Sequence, residues 1–186
     1  MNRDDAWRLL TQYTQSESLR KHALSVEAAM RYYGDKLGGD VEQWGTAGLI
    51  HDFDYEQNPD PADHTRVGAE ILRAKGVDDE IIEAMMSHAD WNWGEYPLDR
   101  PIRKTLFAVD ELSGFITAVA YVRPEKLRGM KASSVKKKMK QKSFAAAVKR
   151  EDLVKGAELL ELTLEDHIEN VIAAMQVIEK ELGLSA

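Results

Sequence analysis

Apolar residues in this chain recur at intervals of three and four, and strict alternation over a strand length is hard to find. That period lines one stripe of an α-helix, so the expected fold class is all-α. Leu19, Ala23, Val26, Met30 and Tyr33 mark a helix over about 17–33, with Thr14 and Glu17 spaced as a capping box and Gly34 and Gly38-Gly39 as its stop. A second helix spans about 41–51, where Gly45, Ala47 and Gly48 allow a neighbour to approach closely. The prolines of Asn58-Pro59-Asp60-Pro61 make 53–63 a loop. Further helices are expected from His64 to just before Gly76, over 78–89, over 102–121 and from Thr163 toward Gly183.

Composition narrows the function classes. Twenty-five basic and 32 acidic residues give a net charge of −7, which argues against broad attraction to nucleic acid or anionic lipid. Stable nucleic-acid binding is not expected. With no cysteine, thiolate metal sites, disulfides and a cysteine nucleophile are excluded, and any metal must use His, Asp or Glu. No segment approaches the roughly 18 apolar residues of a membrane span, and the first residues carry no apolar run, so a soluble cytoplasmic protein is expected. Homo-oligomerisation stays open.

Four of the five histidines lie between residues 22 and 88. His22 falls on the inward stripe between Leu19 and Val26, where a lone histidine reads first as a hydrogen-bonded core residue. His51-Asp52 closes an apolar helix and offers an imidazole beside a carboxylate; the plainer reading is a histidine favoured by the helix dipole and a solvated aspartate. Asp110 is harder to dismiss. It shares a mid-helix face with Leu106 and Val109, and a buried carboxylate needs a cation.

Taken in order, His22, His51-Asp52 and Asp110 form an H…HD…D pattern that resembles the HD superfamily of metal-dependent phosphohydrolases. His64, in His64-Thr65-Arg66-Val67-Gly68, and His88, closing Ile81 to His88, resemble the two additional histidines of the HDIG-type subgroup. The resemblance covers about 17–121. It implies one helical domain over 1–186, an HD-type bundle with a metal site between helices and a helical extension from about 122.

The resemblance further implies that His22, His51, Asp52 and Asp110 bind a first divalent ion, with Asp52 bridging to a second at His64 and His88. His51 and Asp52 are the implied catalytic pair. The ligand set suits Mn, Fe, Ni, Co, Mg or Zn without choosing among them or between one ion and two. The implied activity is phosphomonoester or phosphodiester hydrolysis of a small phosphorylated metabolite or nucleotide by metal-bound hydroxide. With a single ion, His64 or His88 is free to act as acid, base or phosphate donor. Two alternatives share the ligands: a di-iron oxygenase, and a non-catalytic nucleotide-binding module. No Gly-Tyr-Pro motif of the cyclic-dinucleotide phosphodiesterases occurs, the nearest string being Gly94-Glu95-Tyr96-Pro97.

Other residues carry weaker signals. Residues 123–142 hold nine basic side chains and one acidic one, read first as a solvated face, with Arg128 and Lys131 as candidate substrate contacts. Trp91 and Trp93 read as plugs of a core edge before stacking surfaces. His167, beside Glu165 and Asp166, is expected at the surface, Glu111 is expected exposed, and Gly114 is expected to permit close helix packing.

Overall fold

The computed structural model describes residues 1–186 as nine α-helices with no strand. They are α1 (Arg3–Tyr13), α2 (Glu17–Leu37), α3 (Val41–Ile50), α4 (Arg66–Ala74), α5 (Asp79–His88), α6 (Pro101–Tyr121), α7 (Ala132–Met139), α8 (Arg150–Leu159) and α9 (Leu164–Val177). A 3-10 turn spans Asp90–Asn92. No helix is long and apolar enough to cross a membrane.

The two 21-residue helices α2 and α6, each about 31 Å long, form the frame. Helices α3 and α9 pack on α2, and α5 and α8 pack on α6. One apolar cluster joins them all, from Ala6 and Leu10 through Val26, Ile50, Met85 and Phe115 to Val135, Leu153, Ile168 and Leu184. The chain after 122 therefore shares its core with the rest.

Close approach of α3 to α2 depends on Gly48. A Cβ there would lie 2.9 Å from Met30 Cγ and 3.0 Å from the Val26 carbonyl oxygen, so only glycine lets α3 lie this near. The contact matters for the site because Val26 is one turn from His22 and Gly48 three residues before His51.

Several local expectations need correction. Ser16, not Thr14, caps α2, accepting a hydrogen bond from the Leu19 amide, while Glu56 reaches back to the amides of Gln15 and Ser16. Thr14 is buried and donates to the Phe53 carbonyl, and Glu17 pairs with Lys21. Gly34 lies inside α2, which continues until Gly38 adopts a left-handed conformation. Helix α1 lies outside the sequence expectation although Ala6, Leu9, Leu10 and Tyr13 follow the spacing of a buried stripe behind the Asn2 cap; α7 and α8 are short and charged, and α9 stops at Val177.

His167 is the largest correction. It is fully buried, accepting from the Tyr33 hydroxyl at 2.7 Å and donating to the Ala108 carbonyl at 3.0 Å. Asn170 completes the knot by donating to Tyr33 Oη. Burial pushes the imidazole down to about 4.

Candidate metal centre

Five helix ends and faces deliver the site. His22 comes from the second turn of α2, His51 follows the last residue of α3, and Asp52 and Asp54 lie in the turn beyond it. His64 precedes α4, His88 ends α5, and Asp110 sits midway along α6. These residues, spread over almost ninety positions, converge. Ligand atoms of His22, His51 and Asp52 lie within 4.8 Å of one another, and so do those of Asp52, His64 and His88. Such spreads suit ligands roughly 2.0–2.6 Å from a common ion.

Asp52 and Asp110 are the hubs. Asp52 Oδ1 is 3.2 Å from both His64 Nε2 and His88 Nε2, and its Oδ2 is 3.6 Å from His51 Nε2. Asp110 Oδ1 lies 2.9 Å from His22 Nε2 and 3.3 Å from His51 Nε2.

Three imidazoles are held from behind so that Nε2 faces the cluster. His51 Nδ1 donates to the Gly48 carbonyl at 2.8 Å, and His88 Nδ1 to the Met85 carbonyl at 2.5 Å. His64 Nδ1 contacts Asp54 Oδ1 at 3.1 Å. A proton fixed on Nδ1 leaves the Nε2 lone pair free for a metal. With those protons on Nδ1, His51 Nε2 and Asp52 Oδ1 are buried with no well-aligned hydrogen bond, facing polar atoms 3.2–3.6 Å away that leave them unsatisfied. Two orphaned polar atoms side by side are the mark of a missing ligand.

Asp54 escaped the sequence reading. Fully buried, it also accepts 3.0 Å hydrogen bonds at Oδ2 from the Thr65 and Gly68 amides, at the start of α4 where the helix dipole favours a carboxylate. A Cβ on Gly68 would stand 2.9 Å from that oxygen, so glycine is needed for the approach. Thr65 adopts φ +67°, a strained backbone for a β-branched residue, and its hydroxyl accepts from Asn92, itself buried and anchored on the Met86 carbonyl. The turn bearing His64 is thus tied to the turn after His88.

The charges are unbalanced without a cation. Burial disfavours an imidazolium at His51, yet the Asp52 and Asp110 carboxylates outweigh it and raise the group to about 9. His64 is likewise raised to about 9, against burial, by Asp52 and Asp54. Burial opposes ionisation of Asp52 and Asp110, but the histidines, His51 foremost, hold both carboxyls well below the usual range. The carboxylates demand positive charge, and protons or divalent ions can supply it. This donor set of nitrogen and oxygen fits a divalent metal.

The cluster floors a cavity of about 370 Å³. Tyr55, Trp91, Glu111, Gly114, Lys149 and Asp152 are among its walls. Trp91 is 47% exposed with its ring 6.1 Å from that of His64, so it is no core plug. Trp93 is one: its indole donates to the Ser87 carbonyl and packs edge-on to Phe107. Glu111 faces the cavity, and partial desolvation together with Asp110 pushes its carboxyl up to about 7. Gly114 is not required for close packing: a Cβ there would make ordinary contact, 3.8 Å from the His22 ring on α2, and meet nothing else within 4 Å.

Arg128 and Lys131 do not reach this cavity. Their segment folds over the far end of α6, about 17 Å along the helix from Asp110, where the Leu127 amide bonds the Leu184 carbonyl and Gln176 bonds that of Leu127. The basic residue lining the cavity is Lys149, from the loop before α8, which no spacing in the sequence marks.

An HD domain profile matches residues 19–180. Ribonuclease Y of Thermosipho melanesiensis is 28% identical over 174 residues, which cover 89% of this chain and 31% of that protein. Ribonuclease Y of Thermotoga maritima is 25% identical over 162 residues, covering 84% and 30%. That of Pseudothermotoga lettingae is 34% identical over 76 residues, 39% and 14% of the two chains. The chain thus spans under a third of the length of these curated relatives. With the profile covering most of its length and the H…HD…D side chains gathered at one centre, the chain belongs to the HD superfamily of metal-dependent phosphohydrolases.

Proposed function

We propose that the protein hydrolyses a phosphoester of a small phosphorylated metabolite or nucleotide at this centre. The observation that carries the reading is the pair of ligand groups sharing Asp52, with His51 Nε2 and Asp52 Oδ1 buried and unpartnered at their junction. In this reading His22, His51, Asp52 and Asp110 hold one divalent ion, and Asp52, His64 and His88 hold a second. Such ions lower the pKa of bound water and neutralise phosphate oxygens. The chain's part is placement. Backbone carbonyls of Gly48 and Met85 and the Asp54 carboxylate aim three imidazoles inward, which keeps their lone pairs available and their rings still. A cavity of about 370 Å³ suits a substrate of metabolite or mononucleotide size.

A second reading, a phosphodiesterase acting on RNA, draws on the name of the relatives. Against it stand five carboxylates on the cavity wall (Asp52, Asp90, Asp110, Glu111 and Asp152) and one lysine, a poor surface for a polyanion until ions bind.

Elemental analysis of protein purified without chelator or metal-affinity resin tests the site, beside Asp52→Ala. Phosphatase, phosphodiesterase and RNA-cleavage assays on the same sample test the class. Near-stoichiometric metal lost in Asp52→Ala, with phosphate released from a small ester, is the expected result. Two irons with oxygen uptake and no phosphate release would replace the hydrolase by an oxygenase. No metal after reconstitution would leave a binding module.

A further inference from the structure

Beyond the metal ligands, the cavity wall divides into two chemistries. Part of it is aromatic: Tyr55 and Trp91 are 40% and 47% exposed, and both rings stand next to that of His64, at 5.2 and 6.1 Å. Part of it is acidic. Asp90 is neutralised by Lys149 at 3.1 Å, but Glu111 on α6 and Asp152 on α8 have neither an ion-pair nor a hydrogen-bond partner. His51 Nε2 and Asp52 Oδ1, the unpartnered atoms beneath the floor of this cavity, belong to the metal centre, so the wall beyond them is what the leaving group of a substrate meets.

Unpaired carboxylates next to a phosphate-hydrolysing centre repel any second anionic group on the substrate. They attract a cation, and aromatic faces do the same through their negative π-surface. We propose that Glu111 and Asp152 are specificity-determining residues that select a leaving group bearing a positive charge, an ammonium-carrying alcohol phosphate, with Tyr55 and Trp91 offering their faces to that cation. The selection concerns the part of the substrate that leaves. It rests on the hydrolase reading for its reaction and on the cavity wall for its preference.

The test uses metal-reconstituted enzyme at pH 8, above the raised value of Glu111, and three matched esters: 2-aminoethyl phosphate, ethyl phosphate and ethane-1,2-diyl bisphosphate. The expected kcat/KM order is cationic, neutral, anionic, with about tenfold per step, the equivalent of roughly 1.4 kcal/mol. Asp152→Asn, which lies on α8 away from the ligands, should shrink the cationic-to-neutral ratio several-fold, and Glu111→Gln with Asp152→Asn should bring it to within about threefold. Trp91→Leu should lower the same ratio with metal content unchanged. A neutral or anionic ester preferred by the wild type, or a ratio unmoved in the double variant, overturns the proposal. If none of the three esters turns over, the hydrolase reading is what fails for them. Binding of the same compounds, followed by quenching of tryptophan fluorescence, then decides the selection: equal affinities overturn it, and tighter binding of the cationic compound supports it.

Discussion

His51 and His167 have the same side chain and the same complete burial, yet they are opposites in chemistry. His167 has both nitrogens satisfied, by Tyr33 and Ala108, with no carboxylate against its ring, and it is driven to about 4. His51 has one nitrogen satisfied, by Gly48, the other orphaned among carboxylates, and it is driven to about 9. Burial alone does not separate a structural histidine from a functional one. What separates them is whether the second nitrogen has a neutral partner or only unsatisfied negative charge.

The comparison breaks most visibly at the hub of the functional half. Asp52→Ala should abolish metal retention and lower phosphate release more than ~100-fold, read by elemental analysis and a phosphate assay, with the helical circular dichroism preserved. Retained metal would show that the two groups do not share this carboxylate.

The structural half should respond to acid. The unfolded chain binds a proton at His167 near 6.5 and the folded chain only near 4, so the folded state loses stability as pH falls through that interval. The contribution is on the order of 3 kcal/mol across the interval. Urea melts of chelated wild type and His167→Gln from pH 7 to 4 should diverge by that order, and parallel curves would contradict the buried neutral imidazole.

A smaller effect sharpens the boundary between the two regions. Asp54→Asn removes the carboxylate behind His64 without touching His51, and should weaken metal affinity by roughly 10–100-fold. Gly68→Ala should act in the same direction by displacing Asp54. Competitive chelator titration measures both, and unchanged affinity would mean that His64 needs no such support. The smallest effect is expected at Arg128→Ala and Lys131→Ala, which should alter kcat/KM by less than about twofold, since neither lines the cavity.

Much of the centre was legible because four of its six ligand-type residues are written into helix periodicity. His22 and Asp110 fall on apolar stripes, and His51 and His88 end apolar helices, so their inward aim follows from spacing. Asp54 lies in a turn and Lys149 in the loop before α8, where no period says which way a side chain points. His167 was misjudged from its acidic neighbours, although Leu164, His167, Ile168 and Val171 follow the spacing of a buried stripe. Helices α7 and α8 are short and rich in charge, and they form because a few residues such as Val135 and Leu153 dock on a core already built.

Thr65 carries one more consequence. A threonine at positive φ stores roughly 1–3 kcal/mol, held down by hydrogen bonds from its own amide to Asp54 and from Asn92 to its hydroxyl. His22 and Asp110 stand on long helices, whereas His64 stands next to this loaded spring. Local opening should therefore begin on the His64 side, and amides of 54–68 should exchange with deuterium well before those around Asp110.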